Sequence, residues 1–182
     1  MDHLPTEVLV EIIKYLPYFD LRRCQRINSS FGPLIALSGC EQTLFKSTHI
    51  VQPNPAAGIR SVDVHPAFSM MRFEAREELQ IEDICFALPN DSKVALVDFN
   101  VGREQAVQPA VDKLRIQILP WAPITVRNKN GITVLQVMKA VCKFIRPVSC
   151  IRHLDWNVYW TDFDRMSIDE QGLTLRATYL AA

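Results

Sequence analysis

Leu4-Pro5-Thr6-Glu7-Val8-Leu9-Val10-Glu11-Ile12-Ile13-Lys14-Tyr15-Leu16-Pro17 packs a start signal, an apolar stripe and a stop into one short segment. Pro5 suits a first helical turn, where its missing N–H costs nothing, and Glu7 sets negative charge near the positive end of the helix dipole. Val8, Leu9, Ile12, Ile13 and Leu16 recur at helical spacing and form one broad apolar face, and Pro17 ends the helix. A second helix follows. Asp20 is its expected N-cap, with Leu21, Cys24 and Ile27 on one side and Arg22, Arg23, Gln25 and Arg26 on the other. Ser29 or Ser30 then caps a third helix through Phe31, Leu34, Ile35 and Leu37, with Gly39 as its stop.

A unit of roughly forty residues lies at the lower limit for independent folding, so its apolar side chains call for a further surface. Burying any one of Val8, Leu9, Ile12, Ile13 or Leu16 fully is worth about 1.5 to 3 kcal/mol. That surface is either another chain or the remainder of this one.

By combination these residues resemble the F-box, a family whose pattern opens with Leu-Pro, runs through an apolar helix to a Leu-Pro type turn, and continues with Asp-Leu and a basic helix. Here the pattern reads Leu4-Pro5, Val8-Leu9, Ile12-Ile13, Tyr15-Leu16-Pro17, Asp20-Leu21, Arg22-Arg23, Ile27-Asn28, Phe31 and Leu34-Ile35. The resemblance implies docking on the Skp-type adaptor of an SCF ubiquitin ligase, with the rest of the chain presenting a protein substrate for ubiquitination and performing no catalysis itself. On matching positions it assigns adaptor contact to Leu4, Pro5, Val8, Ile12, Leu16 and Leu21, and closure of the helical unit to Leu9, Ile13, Ile27, Phe31 and Leu34. Two departures stand out. Cys24 replaces a larger aliphatic residue, and Gly32-Pro33 replaces a basic or polar pair and is expected to shorten the third helix. The competing reading is a stand-alone interaction or structural domain whose N-terminal helices complete its own core.

With 182 residues, 48% of them hydrophobic, the chain has room for this unit and one domain of ordinary size. Lys plus Arg and Asp plus Glu are each 20, so no net charge draws nucleic acid or an anionic membrane from a distance. No apolar run approaches a membrane span and no secretion signal opens the chain, which predicts an intracellular protein, cytoplasmic or nuclear. The five cysteines, Cys24, Cys40, Cys85, Cys142 and Cys150, are widely spaced and without a Cys-x-x-Cys pair, arguing against a disulfide framework and a zinc site.

Pro53-Asn54-Pro55-Ala56-Ala57-Gly58 reads as a connector. The predicted organisation is a helical unit over 1–52, a connector over 53–60 and an α+β domain over 61–182. In that domain Val94 to Phe99, Leu114 to Ile118 and Ile124 to Val126 read as strands, and Asn128-Lys129-Asn130-Gly131 as a turn. Thr133 is placed to cap a helix from Val134 to Ile145 that Pro147 closes. Two more strands fall around Val158 to Phe163 and over Gly172 to Leu180. The fold class is therefore α+β: three N-terminal helices, then a mostly antiparallel sheet backed by one or two helices.

His65-Pro66-Ala67-Phe68, Pro109 to Ile118 leading into Leu119-Pro120-Trp121, Ile124-Thr125-Val126 and Gly131-Ile132-Thr133-Val134-Leu135 carry a second resemblance, to a domain of unknown function found in mushroom-forming and other fungi. It spans roughly 64 to 146 and implies a fungal source without bringing an activity. The C-terminal stretch with Trp156, Trp160, Asp162, Phe163 and Asp164 departs from that family.

Catalytic constellations are scarce. The four histidines are His3, His49, His65 and His153. His65 before Pro66 reads as a turn residue satisfying a backbone group rather than a base, and His153 with Asp155 is too small a pair to define a dyad or metal site. There is no nucleophile elbow, phosphate loop or dinucleotide fingerprint, so no catalytic residue, cofactor or metal is predicted. A captured substrate is expected to meet Tyr159, Asp162 and Asp164, since Trp156 and Trp160 suit a core.

Overall fold

The computed structural model describes residues 4–51, 62–72, 80–87, 93–96, 100–118, 122–148, 158–169 and 172–181. The chain divides into two compact units, Met1–Ser47 and Thr48–Ala182. Together they are α+β, with three helices followed by a mixed-sheet region and a further helix.

The first unit holds α1 (Thr6–Lys14), α2 (Tyr18–Ile27) and α3 (Phe31–Leu37). Prolines rather than polar caps start the first two. Pro5 sits at the N-cap of α1, one position before the first turn in which the sequence places it, and its carbonyl accepts from the Val8 and Leu9 amides at 3.1 Å. Pro17 does the same for α2, accepting from Asp20 and Leu21 at 3.1 and 3.0 Å. Asp20 is therefore not the N-cap but a first-turn acid, accepting from Arg23 Nη1 at 2.9 Å. Starting α2 at Tyr18 brings that ring into the core. Ser30 takes the N-cap position of α3 without a side-chain cap, and the Asn28 carboxamide accepts from the Ser30 amide at 2.9 Å instead. Gly39, at φ +73°, ends α3 as expected.

Ile13, Tyr18, Leu21, Ile35, Cys40, Leu44 and Phe45 form the core of this unit, with Leu16, Cys24, Phe31 and Leu34 half-buried against it. Polar groups bind its layers together. The Cys40 thiol donates to the Ile13 carbonyl at 3.7 Å, while the Ser38 hydroxyl donates to the Ile35 carbonyl at 2.7 Å and lies 3.0 Å from the Cys40 sulfur. Phe45 holds a left-handed backbone, φ +54°, with its ring edge-on to Tyr18 at 6.2 Å.

Among its described residues the second unit has nine strands. A pair joins β1 (Asp63–Val64) to β5 (Val107–Gln108), and a three-stranded sheet runs β2 (Met71–Arg72), β3 (Cys85–Ala87), β4 (Lys93–Ala95). A four-stranded sheet has the order β7 (Ile124–Arg127), β6 (Lys113–Ile118), β9 (Gly172–Ala181), β8 (Val158–Asp169). Its central pair, β6 with β9, is parallel, and the flanking pairs are antiparallel. The strand pairs are mostly antiparallel, as expected, but among the described residues they divide into three sheets, the largest of them mixed. Pairing over such sequence distances leaves no mark on local periodicity.

Helix α4 (Val134–Val148) packs on the large sheet. Val134, Val137, Met138 and Val141 share one buried core with Leu114 and Ile116 of β6 and Leu173 and Leu175 of β9, all within 1% of full burial. The predicted cap is present and reciprocal: the Gln136 amide donates to the Thr133 hydroxyl at 3.4 Å, and the Thr133 amide donates to the Gln136 carboxamide at 3.1 Å. Gly131 at φ +89° makes the preceding turn, where a Cβ would collide with the Gln105 carboxamide. Pro147 does not close α4 from outside. It lies in the last turn, and the helix ends at Val148. Ile50 and Val51 run with this unit, the Val51 amide donating to the Ala110 carbonyl at 2.9 Å. The connector over 53–60 lies outside the described residues.

Candidate functional site

Four apolar side chains stand in a row on the solvent side of the α1 segment. Leu4 is 54% exposed, Val8 42%, Ile12 47% and Tyr15 83%. Val8, Ile12 and Tyr15, spaced by four and three residues, share one helical face with Tyr15 at the C-cap, and Leu4 precedes the N-cap residue Pro5. Ile13, one residue from Ile12, points the other way and is 2% exposed in the core. Glu11 and Lys14 flank the row, joined at 2.6 Å, and this bond raises the Lys14 ammonium pKa above its ordinary value. Pro5 is exposed beside Leu4, and Leu16 is half-buried at the far end. Further apolar side chains are exposed at Phe19, Ile27 and Leu37.

Of the six positions expected to contact an adaptor, Leu4, Pro5, Val8 and Ile12 are on the surface and Leu16 is at its margin. Leu21 is not: at 0% exposure it is a core residue, because its side of α2 faces the core it shares with Ile13, Tyr18 and Ile35. The reverse correction applies to Ile27, expected to close the unit but 74% exposed at the end of α2. Tyr15 is the residue the sequence reading left out of the contact set. The 8-12-15 spacing is the signal that finds it.

Two features of the sheet unit bear on catalysis. His65 is buried, its Nδ1 accepting from the Ala67 amide at 3.0 Å, which leaves the proton on Nε2 to donate to Glu104 Oε2 at 3.0 Å. The histidine thus satisfies a backbone group in its turn, as expected, and also holds a carboxylate that no local pattern announces. Side-chain exposures of 0% and 5% shut both groups away from a substrate. Among the described residues no three His, Cys, Asp or Glu side chains gather as a metal site. His153 and Asp155 lie outside the described residues. Tyr159, Asp162 and Asp164 run in β8, with Tyr159 opposite Leu180, Asp162 opposite Thr178, and Asp164 within a register shift between Asp162 and Arg165. Their side chains lie outside what the structure describes. No described helix is long and apolar enough to cross a membrane.

The first unit buries one apolar row and displays another. Residues 1–35 match the F-box-like family, whose motif supports binding of an Skp-type adaptor in general. The chain belongs to a family of unknown function, DUF6699, which matches residues 85–177, just over half of its length. No curated protein and no solved structure is similar enough to match it.

Proposed function

We propose that the chain is a non-catalytic substrate receptor: the first unit docks on the Skp-type adaptor of an SCF ubiquitin ligase, and the second captures a protein for ubiquitination. The observation that carries this reading is the split of α1 into a buried face at Ile13 and a displayed face at Leu4, Val8, Ile12 and Tyr15. Full burial of each displayed side chain is worth about 1.5 to 3 kcal/mol, and each still has close to half or more of its surface to bury. Such a row suits a partner groove read at i, i+4 and i+8 positions. The place of action is the cytoplasm or nucleus, where that ligase works, with no membrane or nucleic acid as partner.

Titration calorimetry of the whole chain with a purified Skp-type adaptor tests this. Binding that disappears in Val8→Asp/Ile12→Asp while circular dichroism stays unchanged supports the receptor. Absence of binding by the intact chain favours the stand-alone domain.

A further inference from the structure

Acidic and basic residues are unevenly shared along the chain. Residues 113–154 hold eight of its 20 Lys and Arg and none of its 20 Asp and Glu. Helix α4 lies in this stretch. Val134, Val137, Met138 and Val141 take its inner side, and Lys139 and Lys143, four residues apart, are exposed on its outer side. Two more exposed cations border them. Arg103 ends the 3-10 turn Asn100–Arg103, which packs on the start of α4 so closely that a Cβ on Gly102 would stand 3.4 Å from the Leu135 Cβ. Lys129 lies in the turn before α4, next to Asn128, whose carboxamide donates to that of Gln136 at 3.0 Å. Among the described residues none of the four is ion-paired, either to Asp112, whose carbonyl accepts from the Asn128 amide at 2.9 Å, or to the exposed Glu82. Like charges at i, i+4 weaken a helix, so Lys139 and Lys143 do nothing for the stability of α4.

We propose that the outer face of α4, bordered by Arg103 and Lys129, binds an acidic segment of a partner protein. The chain carries no net charge, so attraction comes from this one basic face and not from the molecule as a whole. Between the cations, Leu135 and Ala140 are half-buried and leave apolar surface for a partner side chain to cover. A second copy of the same face is repelled. Nucleic acid is the poorer fit: the outer positions Leu135, Gln136, Lys139, Ala140 and Lys143 include no aromatic ring on which a base stacks. The inference specifies what the second unit captures, and rests on the receptor reading for its purpose but not for its chemistry.

Fluorescence anisotropy on the full chain tests it with a short labelled glutamate peptide carrying one central leucine, its lysine counterpart, and a single-stranded RNA oligonucleotide. The expected result is preference for the glutamate peptide by at least about tenfold, weakened by salt and lost in Lys139→Glu/Lys143→Glu. Lys139→Gln/Lys143→Gln, which adds no new charge, is expected to fall between the parent and that variant, and circular dichroism of both variants to match the parent. No binding of the glutamate peptide, equal binding of both peptides, an unchanged preference in Lys139→Glu/Lys143→Glu, or tighter binding of RNA overturns the proposal. Adaptor binding measured on Lys139→Glu/Lys143→Glu separates the two readings, since it reports on α1 and is expected to be unchanged.

Discussion

Helix α4 seats Val134, Val137, Met138 and Val141 at no measurable exposure, whereas the α1 segment seats Ile13 alone and leaves Leu4, Val8, Ile12 and Tyr15 in solvent. Both are amphipathic by spacing. The difference lies in what each has to pack against: α4 lies on a sheet with Leu114, Ile116, Leu173 and Leu175 beneath it, while α1 has only two short helices and the Leu44-Phe45 end of its unit. A small helical unit covers one side of a helix and has nothing left for the other. Its displayed row is thus a consequence of size, and size is what makes it useful for docking.

Placing a charge in the buried helix is the harshest test of this contrast. Met138→Asp leaves an unpaired carboxylate among apolar side chains and is expected to cost at least about 3 to 5 kcal/mol, enough to unfold the second unit, as read by urea denaturation and circular dichroism. Next in size is a matched pair within the first unit. Leu21→Ala removes core packing and is expected to cost about 2 to 5 kcal/mol, while Val8→Ala stays within about 0.5 kcal/mol of the parent and weakens adaptor binding. Comparable losses at both positions break the division of labour drawn above. Thr133→Ala deletes half of the reciprocal cap on α4 and is expected to lower stability by about 1 kcal/mol in the same denaturation series.

The smallest effect is one of pH. Burial pushes the Tyr18 hydroxyl pKa above its ordinary value, with neighbouring Arg22 pulling it partly back. Because the folded state holds this proton more tightly than the unfolded chain, its stabilisation is complete below the unfolded value of about 10 and is lost as pH rises past it. The urea midpoint of the parent is expected to fall between pH 9 and 11 more than that of Tyr18→Phe, which has no such proton to lose. Equal falls contradict the burial of this hydroxyl.

What was legible in the sequence is what local chemistry decides. The 3.6-residue spacing of Val8 to Leu16, the Asn128-to-Gly131 turn, the Thr133 cap and the β6 and β7 strands all follow from side-chain periodicity and turn residues, and all are present. Where a proline and an acid compete to start α2, the proline at Pro17 wins. Leu21, which the F-box resemblance assigns to the adaptor by position, is in the core instead. The parallel pairing of β6 with β9 and the bond from His65 to Glu104 join residues far apart in the chain, and nothing near either partner announces them. For the site, apolar spacing marked Val8, Leu9, Ile12, Ile13 and Leu16 alike, and it was the F-box resemblance that set Ile12 outside and Ile13 inside; the fold exposes Ile12 and buries Ile13. Spacing alone does not make that choice, because it depends on where α2 and α3 lie.

Ile12 and Ile13 therefore offer the most direct measurement. The same substitution to aspartate is made at each, and adaptor binding and thermal unfolding of the full chain are recorded side by side. The account predicts that Ile12→Asp melts like the parent and no longer binds, whereas Ile13→Asp loses the cooperative unfolding of the helical unit. If Ile12→Asp unfolds the unit, or if it binds the adaptor as the parent does, the displayed face of α1 is not the docking surface.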